Sequence, residues 1–214
     1  MTKRIVILVS GNGSNAQAII DACAIGEIKA NVCAVIANKS NAYALVRAKK
    51  AGIDAVALPH STYDSREEYD RVLAKRIINY QADLVVLAGF MRILSAEFVN
   101  QFDGKLLNIH PSILPKYRGL NTHQRALDNG DGEHGASVHF VTAELDGGPI
   151  VVSARLFIND DDTVDTLAAR VAKLEWQIYP SVIKWFCNDE LSVRDGRVWL
   201  NDQMLPKCGM LYEH

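Results

Sequence analysis

The sequence predicts an α/β domain built on a mostly parallel sheet, and three observations carry that expectation. Short apolar runs alternate with longer amphipathic stretches through the first two thirds of the chain, as βαβ units require. The run Leu-Val-Val-Leu-Ala at residues 84–88 is apolar throughout, as a strand covered on both faces is. A third apolar run, residues 4–10, passes through two closely spaced glycines into a helical pattern.

The bulk composition excludes several function classes. With 214 residues and a net charge of -2, spread without blocks of one sign, the chain has no electrostatic footprint for a nucleic acid or an anionic membrane. Its apolar runs are far shorter than a membrane span, and the one near the start is too short for a signal-peptide core. Cys23, Cys33, Cys187 and Cys208 lie far apart with no C-x-x-C spacing. That usage is expected of reduced thiols in a cytoplasmic protein rather than a disulfide frame or a zinc site.

Strands are expected at residues 4–10, 32–37, 55–58, 84–88, 106–110, 137–141 and 150–156, with helices at 15–24, 42–51, 65–80, 96–101, 122–129 and 163–187. A small hairpin around Asp195-Gly196 is expected at 191–200, followed by a tail. The first junction, Ser-Gly-Asn-Gly-Ser-Asn at residues 10–15, opens a helix whose first N–H groups and positive dipole end suit a phosphate. Dinucleotide binding calls for an acid at the end of the second strand, which here reads Ala37-Asn38-Lys39, so a phosphate monoester is the better fit. A tight βα turn with no ligand is the alternative reading.

Asp64 or Ser65 caps the helix at 65–80, with Glu67 and Glu68 facing its dipole. Arg66 beside them either reaches a carboxylate or is simply solvated. After the strand at 84–88, Phe90, Met91, Ile93 and Leu94 form an apolar loop. They either pack under the sheet edge or wall a pocket for a flat ring.

The strand at 106–110 carries the reacting centre. Asn108 and His110 stand two residues apart, so both side chains leave the same face, and Pro111 makes His110 the last strand residue. Open α/β sheets bind ligands at strand carboxyl ends, where a carboxamide and an imidazole can donate to an oxygen that gains negative charge.

Pro111, Pro115 and Gly119 then hold an irregular loop containing Lys116, Tyr117 and Arg118, and Thr122 is expected to cap the next helix. His123, His134 and His139 have no metal-ligand spacing. The strand at 137–141 places His139 and Val141 on one face. In the turn-forming Glu-Leu-Asp-Gly-Gly-Pro at 144–149, Asp146 either serves the turn or folds back onto His110, where a carboxylate raises an imidazole's pKa. Asp160, Asp161 and Asp162 are cap and dipole residues for the helix at 163–187, which Pro180 is expected to bend. Glu175 at the edge of its apolar stripe calls for a hydroxyl or ammonium partner, or a salt bridge.

Four segments together resemble one family, the folate-dependent phosphoribosylglycinamide formyltransferases: residues 10–15, Leu-Ala-Gly-Phe-Met-Arg-Ile-Leu at 87–94, Leu-Asn-Ile-His-Pro-Ser at 107–112, and residues 144–149. The resemblance covers nearly the whole chain. It implies a Rossmann-like formyltransferase fold with a small C-terminal hairpin, as one domain over 1–214, with a nucleotide-binding half at 1–103 and a catalytic and folate-binding half at 104–214. It implies that 10-formyltetrahydrofolate, a co-substrate rather than a resident cofactor, gives its formyl group to the glycine amine of glycinamide ribonucleotide, with no metal. By residue matching, Asn108, His110 and Asp146 are catalytic. Gly13, Ser14, Asn15 and Glu175 would hold the ribonucleotide. Arg66, Met91, Arg92, Ile93, Leu94, Asn108, Val141 and Asp146 would hold the folate. Arg118 and Asn121 stand where close relatives have proline and histidine, so no substrate contact carries over to Asn121.

Partners are then small molecules, with no nucleic acid and no membrane, and the chain is a monomer or homodimer. Hydrolysis of formyltetrahydrofolate and transfer to another amine are the alternatives within the enzyme class; such relatives carry a further domain that this chain is not expected to have. A non-catalytic nucleotide- or folate-binding protein would not need Asn108, His110 and Asp146 together.

Overall fold

The computed structural model describes residues 2–212. The chain forms two compact units, the first ending at Asn108 and the second beginning at Ile109.

The first unit runs β1 (Lys3–Val9), α1 (Ser14–Ala24), β2 (Ala30–Ala37), α2 (Tyr43–Lys50), β3 (Asp54–Ala57), a 3-10 turn (His60–Thr62), α3 (Arg66–Asn79), β4 (Leu84–Leu87), α4 (Ala96–Gln101) and into β5 (Leu106–His110). Its strands follow the order β3-β2-β1-β4-β5, every pair parallel. Ile5, Val6, Ile7, Leu8 and Val9 are all fully buried, which explains why β1 reads as an unbroken apolar run rather than an alternation. Ser65, not Asp64, caps α3, its hydroxyl accepting from the Glu68 N–H at 3.1 Å.

The second unit contains α5 (Thr122–Asp128), β6 (Glu133–Phe140), β7 (Ile150–Phe157), α6 (Val164–Cys187), β8 (Leu191–Arg194), β9 (Arg197–Leu200), β10 (Gln203–Met204) and β11 (Met210–Tyr212). β6 and β7 are antiparallel and β11 lies parallel to β7, while β8, β9 and β10 form a separate antiparallel sheet. α6 packs on β6 and β7 through a stripe of buried residues, Leu167, Val171, Leu174, Ile178 and Val182 among them. Thr163 and Thr166 close a capping box at its start, and the helix continues as one element through Pro180.

The mostly parallel sheet with flanking helices and the C-terminal hairpin are both present. Three local expectations are corrected. β6 begins at Glu133 rather than residue 137 and ends at Phe140, so Val141 lies just beyond it. Gly135 lies inside the strand at a close approach to β7, where a Cβ would stand 1.9 Å from the Ala154 carbonyl oxygen. Thr122 does not cap α5: Asn121 takes that position in the left-handed region at φ 58°, and the Thr122 hydroxyl is buried inside the first turn. Two short strands, β10 and β11, occupy what reads as tail, because each is too brief to show a period.

Among the described residues no helix is long and apolar enough to cross a membrane, and no group of three or more His, Cys, Asp or Glu side chains could hold a metal. All four cysteines are free thiols.

Candidate active site

In the first unit the chain leaves β1 and turns through residues 10–13 into α1. Gly13 has φ 77°, and a Cβ there would lie 2.5 Å from the Ala44 Cβ, so a glycine is what lets the start of α1 approach α2 this closely. Gly13 stands at the capping position of α1 and makes no side-chain cap bond. The turn borders a cavity of about 310 Å³ whose lining includes residues 10–15, Lys39, Gly89 and Met91. Gly13, Ser14 and Asn15 thus line one concave surface at a helix N-terminus, a geometry suited to a phosphate.

The loop after β4 is tied to this turn. The Met91 N–H donates to the Ser10 hydroxyl at 2.7 Å, and the Ser10 N–H to the Gly89 carbonyl at 3.1 Å. Its apolar residues divide: Phe90 and Leu94 are buried, while Met91 and Ile93 are 66% and 55% exposed. Two exposed apolar side chains beside a buried pair make a wall that a flat apolar ligand would cover. The Arg92 guanidinium lies 4.5 Å from the Tyr69 ring centre, and its Nε is buried without a hydrogen-bond partner among the described residues. Arg66, in the first turn of α3, is exposed and paired with Glu67 at 3.2 Å. Asn108 is half-buried on β5, in register with Leu87 of β4.

The second unit gathers the titratable groups. His110 is buried at the end of β5; its Nε2 donates to the Tyr117 carbonyl at 2.9 Å, and its Nδ1 lies 3.4 Å from Asp146 Oδ2. The same carboxylate oxygen accepts the Gly119 N–H at 2.9 Å. Asp146 Oδ1 stands 3.7 Å from His139 Nε2, and the other nitrogen of that ring donates to the Phe140 carbonyl at 2.9 Å. Asp146 therefore folds back onto His110 while also holding the turn, at φ 46°. The next glycines permit this: a Cβ on Gly148 would be 1.8 Å from the Phe140 carbonyl oxygen.

Burial pulls the His110 pKa down, and the Tyr117 carbonyl and the Asp146 carboxylate raise it only part of the way back, so it stays below an ordinary histidine. Burial raises Asp146, but bonds from His139 and Gly119, with the two nearby imidazoles, outweigh it and hold the carboxyl below its usual range. The ionised carboxylate favours the protonated form of the ring it faces, in opposition to burial.

Glu175 lies within the buried face of α6 rather than at its edge, and Val141 is half-buried just past β6. The sequence reading named Tyr117 and Gly119 only as loop residues and His139 only as a strand residue, and it did not name Arg47, which lies on α2 beside the glycine turn of the first unit. His139 had a signal, its place on the face that leads into the 144–149 turn. The other three act through backbone groups or across the sequence, where no local pattern marks them.

A family model described as formyl transferase matches residues 3–183. The chain is 55% identical to the phosphoribosylglycinamide formyltransferase of Escherichia coli over 205 residues, covering 96% of this chain and 97% of that one. It is 47% identical to the enzyme of that name from Haemophilus influenzae, covering 99% and 100%. A solved phosphoribosylglycinamide formyltransferase from Coxiella burnetii superposes with a TM-score of 0.95 at 46% identity, over the full length of both chains.

Proposed function

The chain belongs to the formyl transferase family, and from that premise we propose that it transfers the formyl group of 10-formyltetrahydrofolate to the glycine amine of glycinamide ribonucleotide, in purine biosynthesis. The amine nitrogen attacks the formyl carbon, the carbonyl electrons move onto oxygen, and the tetrahedral centre collapses with cleavage of the bond to N10. The attacking nitrogen loses a proton and N10 gains one, giving the N-formyl product and tetrahydrofolate. No covalent enzyme intermediate and no metal enter this scheme.

The Asn108 carboxamide donates to the oxyanion as it forms, and so does the Nδ1–H of protonated His110, which lies 3.4 Å from Asp146 before substrate binds and turns to the oxygen as charge develops there. Asp146 stabilises the imidazolium and takes the proton released by the amine, directly or through water. Gly13, Ser14 and Asn15 hold the ribonucleotide's phosphate and Glu175 its ribose hydroxyls. Met91, Arg92, Ile93, Leu94, Val141 and Asp146 surround the pterin, with Arg66 toward the outer end of the folate. The Asp146 carboxylate 3.4 Å from a buried imidazole is the observation that carries this reading, since a structural turn does not need a buried histidine opposite its acid.

The test is the absorbance change of 10-formyl-5,8-dideazafolate on adding the protein, with and without glycinamide ribonucleotide. Turnover is expected only with the amine. Equal turnover without it would instead establish a hydrolase.

A further inference from the structure

Arg47, near the end of α2, takes no part in the chemistry above, yet its guanidinium grips the glycine turn. Nε donates to the Asn12 carbonyl at 2.9 Å and Nη2 to Asn12 Oδ1 at 2.8 Å, while Nη1 reaches Gln17 Oε1 at 3.3 Å. The ring of Tyr43 lies 5.0 Å away across the guanidinium. We propose that Arg47 is a positioning residue for the phosphate of the amine substrate, holding Asn12 so that the turn's N–H groups converge on one point. The inference rests on the reading that this turn binds a phosphate monoester.

The argument follows from peptide geometry. In a trans peptide the C=O and the following N–H point in opposite directions. Fixing the Asn12 carbonyl on Arg47 therefore aims the Gly13 N–H away from α2. The turn cannot fix this orientation itself, because Gly11 and Gly13 have no side chains and α1 has no side-chain cap. Contact of Gly13 with Ala44 sets how closely the turn approaches α2, and the Ala44 N–H bond to the Gly11 carbonyl at 3.2 Å secures its start. Among the described residues it is Arg47 that holds the peptide between them, through the Asn12 carbonyl. A flat fork with its face against Tyr43 loses less freedom per bond than a flexible ammonium does, so arginine and lysine are not equivalent here.

Steady-state kinetics of Arg47→Met, Arg47→Lys and Asn12→Ala in the full chain test this. Arg47→Met is expected to raise the KM for glycinamide ribonucleotide about tenfold, equivalent to about 1.4 kcal/mol, leaving kcat and the folate KM within about twofold. Arg47→Lys should behave like the methionine variant, since a single nitrogen on a flexible stem cannot span Asn12 O, Asn12 Oδ1 and Gln17 Oε1 as the planar fork does. In the Asn12→Ala background Arg47→Met should add less than it does alone, because both act through one residue. A lysine variant with a wild-type KM would show that charge alone matters and would overturn the positioning role. Equal losses in kcat and both KM values would also overturn it, as a general structural effect. Inorganic phosphate separates the two readings. If it fails to compete with glycinamide ribonucleotide in the wild-type protein, the phosphate reading of the turn fails. If it competes equally well in wild type and Arg47→Met, the inference about Arg47 fails alone.

Discussion

Replacing Asp146 with asparagine removes one negative charge from the side of His110 while conserving shape. The carboxamide oxygen can keep the 2.9 Å bond from the Gly119 N–H, and its NH₂ group then occupies the place of the oxygen 3.7 Å from His139 Nε2. Once no carboxylate faces it, that nitrogen can accept from the NH₂ group while the other keeps its bond to the Phe140 carbonyl. The fold is therefore expected to survive, and the change isolates the charge. At the 3.4 Å separation from His110 Nδ1, Coulomb attraction with an effective dielectric near 20 is about 5 kcal/mol. Solvent at the cleft reduces this to about 3 kcal/mol, or on the order of 10² in rate, if the imidazolium is needed in the transition state. Two assays report it. The kcat of Asp146→Asn should fall by about two orders of magnitude with both KM values near wild type. In a proton NMR titration, His110, already below an ordinary histidine because of burial, should move lower still when the carboxylate that partly offsets burial is gone. A variant with kcat within threefold of wild type and an unmoved His110 titration would refute the role assigned to this acid.

Gly13→Ala should lower stability by about 3 kcal/mol, since it places a side chain at φ 77° and 2.5 Å from the Ala44 Cβ. A melting temperature about 6–12 °C lower is the expected result, and an unchanged one would mean that α2 yields freely. His134, 3.0 Å from His123 through its Nε2, is held down to about 4, first by burial and then by His123. Its folded pKa lies below the unfolded value near 6.5, so the unfolded chain binds the extra proton between those limits. The stability it contributes is complete above about pH 6.5 and is lost as pH falls toward 4. Urea midpoints should drop across that window in wild type and drop less in His134→Gln; equal slopes would assign the acid sensitivity elsewhere.

Much of this molecule is legible one segment at a time. Unbroken apolar runs identify β1 and β4, capping residues identify the start of α3, and a period of three and four identifies α6, because each signal lies in the segment's own residues. The Gly-x-Gly turn is equally local, and so is the pairing of Asn108 and His110 two positions apart on a strand. Boundaries went wrong where a neighbour decides them. β6 extends back through Gly135 at a close approach to β7, and Asn121 displaces Thr122 as the residue before α5 through a left-handed conformation that composition does not announce.

The chain by itself thus determined the longer strands and helices, where the glycine turn opens a helix, and which strand presents a carboxamide and an imidazole. Local propensity and side-chain periodicity suffice for those. Tertiary structure alone let Asp146 hold the turn and face His110 at once, brought His139 to the same carboxylate, and set Arg47 on the Asn12 peptide. It also decided the direction of the His110 titration, since desolvation depends on everything packed around the ring and not on the one acid beside it.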